Sequence, residues 1–419
     1  MFGYKGSGGA HTVMTSRHFS KCFRILGVLL ALTMSYCSSA FGAHEPAGQT
    51  RHVFRLQYKD SGFSVPVHID LEGKDIVFKK EPAFGGDKVV RGSLPTGKDK
   101  KEFIGFACDL TARKLHLDLN RNLDLTDDPA GTFQGRIIDP PAGLQLPRHL
   151  RFEKVQFQVV QGSVPVPYVI DIQIMAFTQR PLIDVTVRSG WQGEIELYGK
   201  KRILGVTDNL SGIIETDDHL HLRQGGGSET LVTPWSYADR LFVPHNLFFG
   251  GHAYDLAFAF EPGTVGTELV TTFTETHPAL GELKITGQSI KRIKLEQGKQ
   301  GWKTTVVLDS PVARVLVPVG TYDQAKLCLD GGEAAGAFYS VVEEVVVSGR
   351  EPAQLNGGGP LNHRVTMRRR GTSLNMDYAL VGIGGERYER ITPNPEQPAP
   401  TFAIYRSTDK VASGSFEYG

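Results

Sequence analysis

The stretch Lys114-Leu115-His116-Leu117-Asp118-Leu119 alternates polar and apolar residues without interruption. Successive side chains of an extended strand point to opposite faces, so a period of two puts the three leucines on one side and Lys114, His116 and Asp118 on the other. The alternation returns in Leu182-Ile-Asp-Val-Thr-Val187, Glu194-Ile-Glu-Leu197 and Leu283-Lys-Ile285, with Gly, Pro and Asp between the runs. Convincing long amphipathic helices are absent. The expected fold class is mainly β, with antiparallel sheets in two or three domains and a C-terminal β-sandwich. Residues 253–260 and 304–308 are more continuously apolar or β-branched, which predicts strands buried on both faces.

The opening strand runs straight into a loop rich in oxygen, Asp118-Leu-Asn120-Arg-Asn122-Leu-Asp124-Leu-Thr126-Asp127-Asp128. A hard cation such as calcium takes about six to eight oxygens, and calcium loops supply them at positions 1, 3, 5, 7, 9 and 12. With Asp118 at position 1, Asn120 and Asn122 fall at 3 and 5, the Asp124 carbonyl at 7 and the Thr126 hydroxyl at 9. The pattern departs from such loops in two places. Leu123 stands at position 6, where glycine normally makes the turn, and Pro129 at 12, so Asp127 or Asp128 must close the shell. The competing reading is an Asp/Asn-rich turn whose side chains cap their own backbone.

A poorer copy follows at Thr207-Asp-Asn209-Leu-Ser211-Gly212-Ile-Ile-Glu215-Thr-Asp217-Asp218. Counting Gly212 as position 6 places Asn209, Ser211, Glu215 and Asp218 at 3, 5, 9 and 12, with Thr207 in place of the first aspartate. Fewer carboxylates mean weaker binding. Each copy follows a β-like stretch, which suggests related repeats over residues 52–130 and 150–222.

The run from Leu117 to Asp128 resembles the calcium loops of EF-hand and dockerin proteins, without their flanking helices. Arg188-Ser-Gly-Trp-Gln-Gly-Glu-Ile-Glu-Leu197, Val317-Pro-Val-Gly-Thr-Tyr322 and Gly382-Ile-Gly-Gly-Glu-Arg-Tyr388 resemble segments of large exported bacterial β-proteins of unassigned function. That resemblance brings no activity with it. The one cofactor expected is calcium.

Export is expected on independent grounds. Arg17, Lys21 and Arg24 precede an apolar run over residues 25–34, and small residues follow at 38–40 and 42–43, as in a signal peptide ending near Ala43. Met14 is an alternative start. Cys37 follows bulky Tyr36, which favours a soluble periplasmic or extracellular protein over a lipid-anchored one. No stretch is long and apolar enough to span a bilayer. Removing residues 1–43 leaves 42 basic against 45 acidic residues, a balance of −3 that offers no field for nucleic acid. Cys108 and Cys328 then remain, as a bridge between domains or as two buried thiols.

The remaining residues divide as 44–140 with the first loop, 141–279 with the degenerate copy, a β-sandwich over 280–400 and a tail over 401–419. Soft boundaries stand at 225–228 and 278–281. A hairpin is expected where residues 364–369 and 374–380 flank Gly371-Thr-Ser373.

The expected role is structural or adhesive, with a cell-surface polymer or protein as partner. The alternative is a metal-dependent hydrolase in which His219 and His221, two apart on a strand, join His245 or His252 around zinc. Glu215, Asp217 and Asp218 could serve as acid/base carboxylates, but any acidic turn looks alike in sequence. No nucleophile elbow is present. Trp191, Trp235 and Trp302 would form a sugar-binding platform if two of them were exposed on one face.

Overall fold

A computed structural model describes residues 50–60, 63–69, 76–139, 148–161, 163–175, 182–225, 235–298, 303–330, 337–390 and 400–416. The expected signal segment, Trp302 and most of the Pro-rich run at 393–400 lie outside these residues. Apart from three short 3-10 turns, every regular element among them is a strand. The protein is mainly β, with antiparallel pairing predominant.

The opening stretch forms the strand Lys114–Leu117. It is third in a four-stranded antiparallel sheet, after Val89–Thr96 and Glu102–Asp109 and before Thr132–Gln134. Leu115 and Leu117 enter the main core. A five-stranded sheet runs Val65–Ile69, Leu182–Val187, Val164–Met175, His149–Gln161, Arg136–Ile138. In Leu182–Val187 the alternation holds: Ile183, Val185 and Val187 are buried, while Asp184 and Thr186 are partly exposed.

The largest sheet crosses the expected boundary near residue 279. In spatial order it begins Arg240–Phe242, His219–Gln224, Lys200–Thr207, Gly190–Leu197, Arg51–Lys59 and Gly266–Thr276. It continues through His252–Gly263, Asn246–Phe249, Thr304–Asp309, Ile290–Gln297, Gly320–Asp330 and Ala337–Val347. Asn246–Phe249 pairs parallel to Thr304–Asp309. Although far apart in that order, Ile290–Gln297 and the first two strands touch. Arg292 Nη1 donates to Leu222 O at 2.7 Å and Ala238 O at 3.0 Å, and Lys294 Nζ donates to Arg240 O at 3.0 Å. The sheet therefore curls back on itself.

Ile290–Gln297 is buried on both faces. Ile293 and Leu295 enter a second core with Leu283, Ile285, Val317 and Leu355 of a three-stranded sheet made of Arg314–Pro318, Leu280–Thr286 and Ala353–Asn356. Residues 253–260 depart from expectation. Ala253 and Tyr254 enter the two cores on opposite faces, but beyond them Leu256, Phe258 and Phe260 pack against the main core while Ala257 and Ala259 are exposed, so the rest of the strand is buried on one side.

Asn362–Arg370 and Ser373–Val381 form the expected hairpin strands, with Gly371 between them at φ 60°. Residues Val365–Asp377 fall outside the compact unit formed by Gln49–Arg364 and Tyr378–Gly419. The expected tail carries a further antiparallel hairpin, Thr401–Arg406 with Asp409–Ser415. Cys108 and Cys328 are both buried and free, and burial pushes the Cys108 thiol up to about 12.

Candidate functional site

The first loop leaves the ladder at Asp118, whose side chain is fully buried. Its carboxylate accepts the backbone N–H of Asn122 at 3.0 Å and of Leu123 at 2.9 Å. Leu125 and Leu123 turn inward onto Phe78 and Ala107, forming a small core beneath the loop. This explains the alternation of leucine with polar residues: the leucines anchor and the oxygens face the turn. Arg121 and Leu123 take positive φ, at 60° and 67°. A left-handed conformation costs an L-residue about 1–2 kcal/mol, which the Asp118 bonds and the Leu123 packing offset.

The remaining oxygens close the loop on itself. Asn120 Oδ1 accepts from Asn122 N at 3.1 Å, Asn122 Oδ1 from Asp124 N at 2.7 Å, and Asp124 Oδ1 from the Thr126 N–H and hydroxyl at 2.8 and 2.6 Å. The Asn120 and Asn122 amides donate to the two oxygens of Asp127, at 3.1 and 2.6 Å. Asp128 Oδ2 accepts from Leu119 N at 3.0 Å. The Thr126 hydroxyl lowers the pKa of Asp124; burial raises that of Asp128, with the charges of Asp127 and Asp118 adding. Among the described residues, no three His, Cys, Asp or Glu side chains gather as a metal cluster. A cation here would need the asparagine, threonine and carbonyl oxygens, a donor set suited to a hard ion.

The second loop repeats this frame 90 residues later. Asn209 N donates to Asp218 Oδ1 at 2.7 Å, as Leu119 N does to Asp128. The Asn209 amide donates to Asp217 at 2.6 Å, as Asn120 does to Asp127. Asp208 is therefore the counterpart of Asp118, and the count that put Thr207 first is corrected by one residue. Thr207 instead ends the strand Lys200–Thr207, paired with His219. Gly212, at φ 79°, still matches Leu123 as a left-handed turn residue. The second loop is one residue shorter before that turn and one longer after it. Thr126-Asp-Asp128 and Thr216-Asp-Asp218 carry the frame in sequence, and aligning on them rather than on glycine would have found it.

Its interior differs. Asp208 and Asp218 are both buried. Asp208 accepts from Ser211 N at 2.8 Å, Gly212 N at 2.7 Å and the hydroxyl of Tyr168, which comes from the strand Val164–Met175. The Ser211 hydroxyl lies 2.9 Å from Asp208 and 2.6 Å from Ile213 O, with one proton for the two. A carboxylate offers about four acceptor positions, so those of Asp208 are nearly all taken. Asp218 also accepts from Glu215 N at 2.6 Å. Burial, then the charge of Asp208, drives the Asp218 pKa well up; burial also raises Asp208. Of the expected ligands, Ser211, Asn209 and Asp218 are committed within the loop.

His219 and His221 stand side by side, their ring centroids 6.4 Å apart. His245 is exposed, while His252 stacks on Tyr198 and lies 3.1 Å from Glu275. Burial, then His219, Arg240, Lys294 and Arg223, pushes His221 well below its ordinary range. Trp191 is buried, donating to Thr267 O at 3.2 Å, and Trp235 is half-buried. No known protein family matches this chain, and no curated protein or solved structure is detectably similar to it.

Proposed function

We propose that the protein is an exported β scaffold of structural or adhesive role, serving a cell-surface polymer or protein, in which the loop 118–128 takes one calcium ion. The supporting observation is the convergence of the Asn120 and Asn122 amides on the Asp127 carboxylate, at 3.1 and 2.6 Å. A half-turn of either amide exchanges its nitrogen for its oxygen. That rotation releases the backbone bonds at Asn122 and Asp124, each worth about 0.5–1.5 kcal/mol, and an ion facing the carboxylates offsets them. Asp118, Asn120, Asn122, Thr126, Asp127 and the Asp124 carbonyl would supply the oxygens, with Asp128 holding Leu119 in place.

Calcium bound to the folded form alone adds about 2.7 kcal/mol when the free ion exceeds Kd a hundredfold. The test is thermal unfolding after chelation and again with calcium, beside Asp127→Asn. The reading expects a calcium-dependent rise in Tm that the variant loses. A chain indifferent to calcium would leave the loop as a self-capped turn.

A further inference from the structure

On the strand His219–Gln224, the residues His219, His221 and Arg223 share one face. The paired residues Thr207, Gly205 and Ile203 on one side, and Phe242 and Arg240 on the other, point the same way. The opposite face, Leu220 and Leu222, belongs to the main core. Trp235 and Phe63 cover the histidine face. Their ring centroids lie 5.2 and 5.5 Å from that of His221, and the Arg223 guanidinium carbon is 4.4 Å from the Trp235 centroid. Gly205 makes room for this cover, because a methyl there would come within 2.6 Å of the Trp235 ring.

Beneath the aromatic cover, hydrogen-bonding capacity goes unused. Both ring nitrogens of His221, Nδ1 of His219 and Nε1 of Trp235 are buried with no hydrogen-bond partner, although His221 is only 1% exposed. Leaving one such group unmet costs about 1–3 kcal/mol. The surroundings are positive: Arg240, Lys294 and Arg223 all oppose protonation of His221. Asp217, the acid beside His219, is engaged by Asn209 at 2.6 Å and Lys100 at 3.7 Å.

We propose that this face, with Trp235, His221 and His219 as the contacting groups and Arg223 and Arg240 as the surrounding charge, binds one small oxyanion of the phosphate type. The chemistry selects hydrogen phosphate over sulfate. Trp235 Nε1 is a pure donor and meets an anionic oxygen, whereas a neutral imidazole has one donor and one acceptor nitrogen. Hydrogen phosphate carries an O–H for that acceptor nitrogen; sulfate carries none.

Equilibrium dialysis of the full chain against radiolabelled inorganic phosphate tests the proposal. It expects one saturable site per chain, sulfate competing at least about tenfold more weakly, and Trp235→Phe lowering affinity about tenfold by removing a single charge-assisted donor. No saturable uptake, or uptake unchanged in Trp235→Phe, would overturn it. If that variant fails to fold, thermal unfolding of the unaltered chain decides. A larger rise in Tm with phosphate than with sulfate at equal ionic strength supports the site, and equal effects of the two salts overturn it.

Discussion

The loops 118–128 and 208–218 share one frame, an aspartate at the start, Thr-Asp-Asp at the end and a hydrogen bond from the second residue's backbone N–H to the last residue's carboxylate, yet they are filled differently. In the first, Asp127 meets two asparagine amides and several oxygens stay partly exposed. In the second, a tyrosine hydroxyl from another strand enters and Asp208 and Asp218 are sealed from water, while Asp217 stays exposed beside the Asn209 amide. The difference teaches that the frame is a way of turning the chain, and that the interior of the turn decides what it holds. The open, amide-rich loop is the one proposed to take a cation; in the closed loop burial raises the pKa of Asp208 and Asp218, and the Tyr168 hydroxyl works against that rise at Asp208.

The largest effect should come from emptying the closed loop. Asp208→Ala strands the Ser211 and Gly212 N–H groups and the Tyr168 hydroxyl, so a loss of about 4 kcal/mol is expected in urea unfolding. Asp118→Ala strands two backbone donors and should cost about 2–3 kcal/mol without calcium. Equal losses in the two variants would break the distinction between closed and open loops. Leu125→Ala removes the floor of the first loop, since Leu125 is 3% exposed among Phe78 and Ala107. It should cost about 2–3 kcal/mol by the same measurement and weaken calcium binding alongside.

The pH dependence sharpens the contrast further. Asp208 and Asp218 have folded pKa values raised above the unfolded one, so the folded state binds their proton more tightly. Their contribution is complete below the unfolded value of about 3.9 and is lost as pH rises through the folded values. Between about pH 7.5 and about pH 5, the unaltered chain should therefore gain on the order of 1 kcal/mol relative to Asp208→Asn, read as Tm against pH. Asp124 has the opposite sign, since its pKa is lowered by the Thr126 hydroxyl. Asp124→Asn should slightly flatten the loss of stability on acidification below about pH 4, the smallest effect of the series.

What was legible in the sequence was local. The alternation of Leu115 with Leu117, and of Ile183 with Val185 and Val187, is a property of neighbouring residues and named both strands and their buried sides. The pairing of Arg51–Lys59 with Gly190–Leu197 and Gly266–Thr276 was not legible, because β-pairing joins residues over a hundred positions apart without a local mark. The first loop was readable as a string of oxygens. The second was misread by one residue because glycine marks the turn, while Asp208 and Asp218 mark the frame. Tyr168 could not be found from the loop at all, since it arrives from 40 residues upstream. The burial of His221 depends on Trp235, Phe63 and Gly205, three separate segments that only the fold brings together.

The most direct test of the open and closed loops is a calorimetric titration of the chelated chain with calcium, run beside Asp127→Asn and Asp217→Asn. These substitutions fall at matching positions of the two loops. The account predicts one calcium per chain, lost in Asp127→Asn and kept in Asp217→Asn. No calcium in the unaltered chain, two ions per chain, or loss of binding on changing Asp217 alone would contradict it.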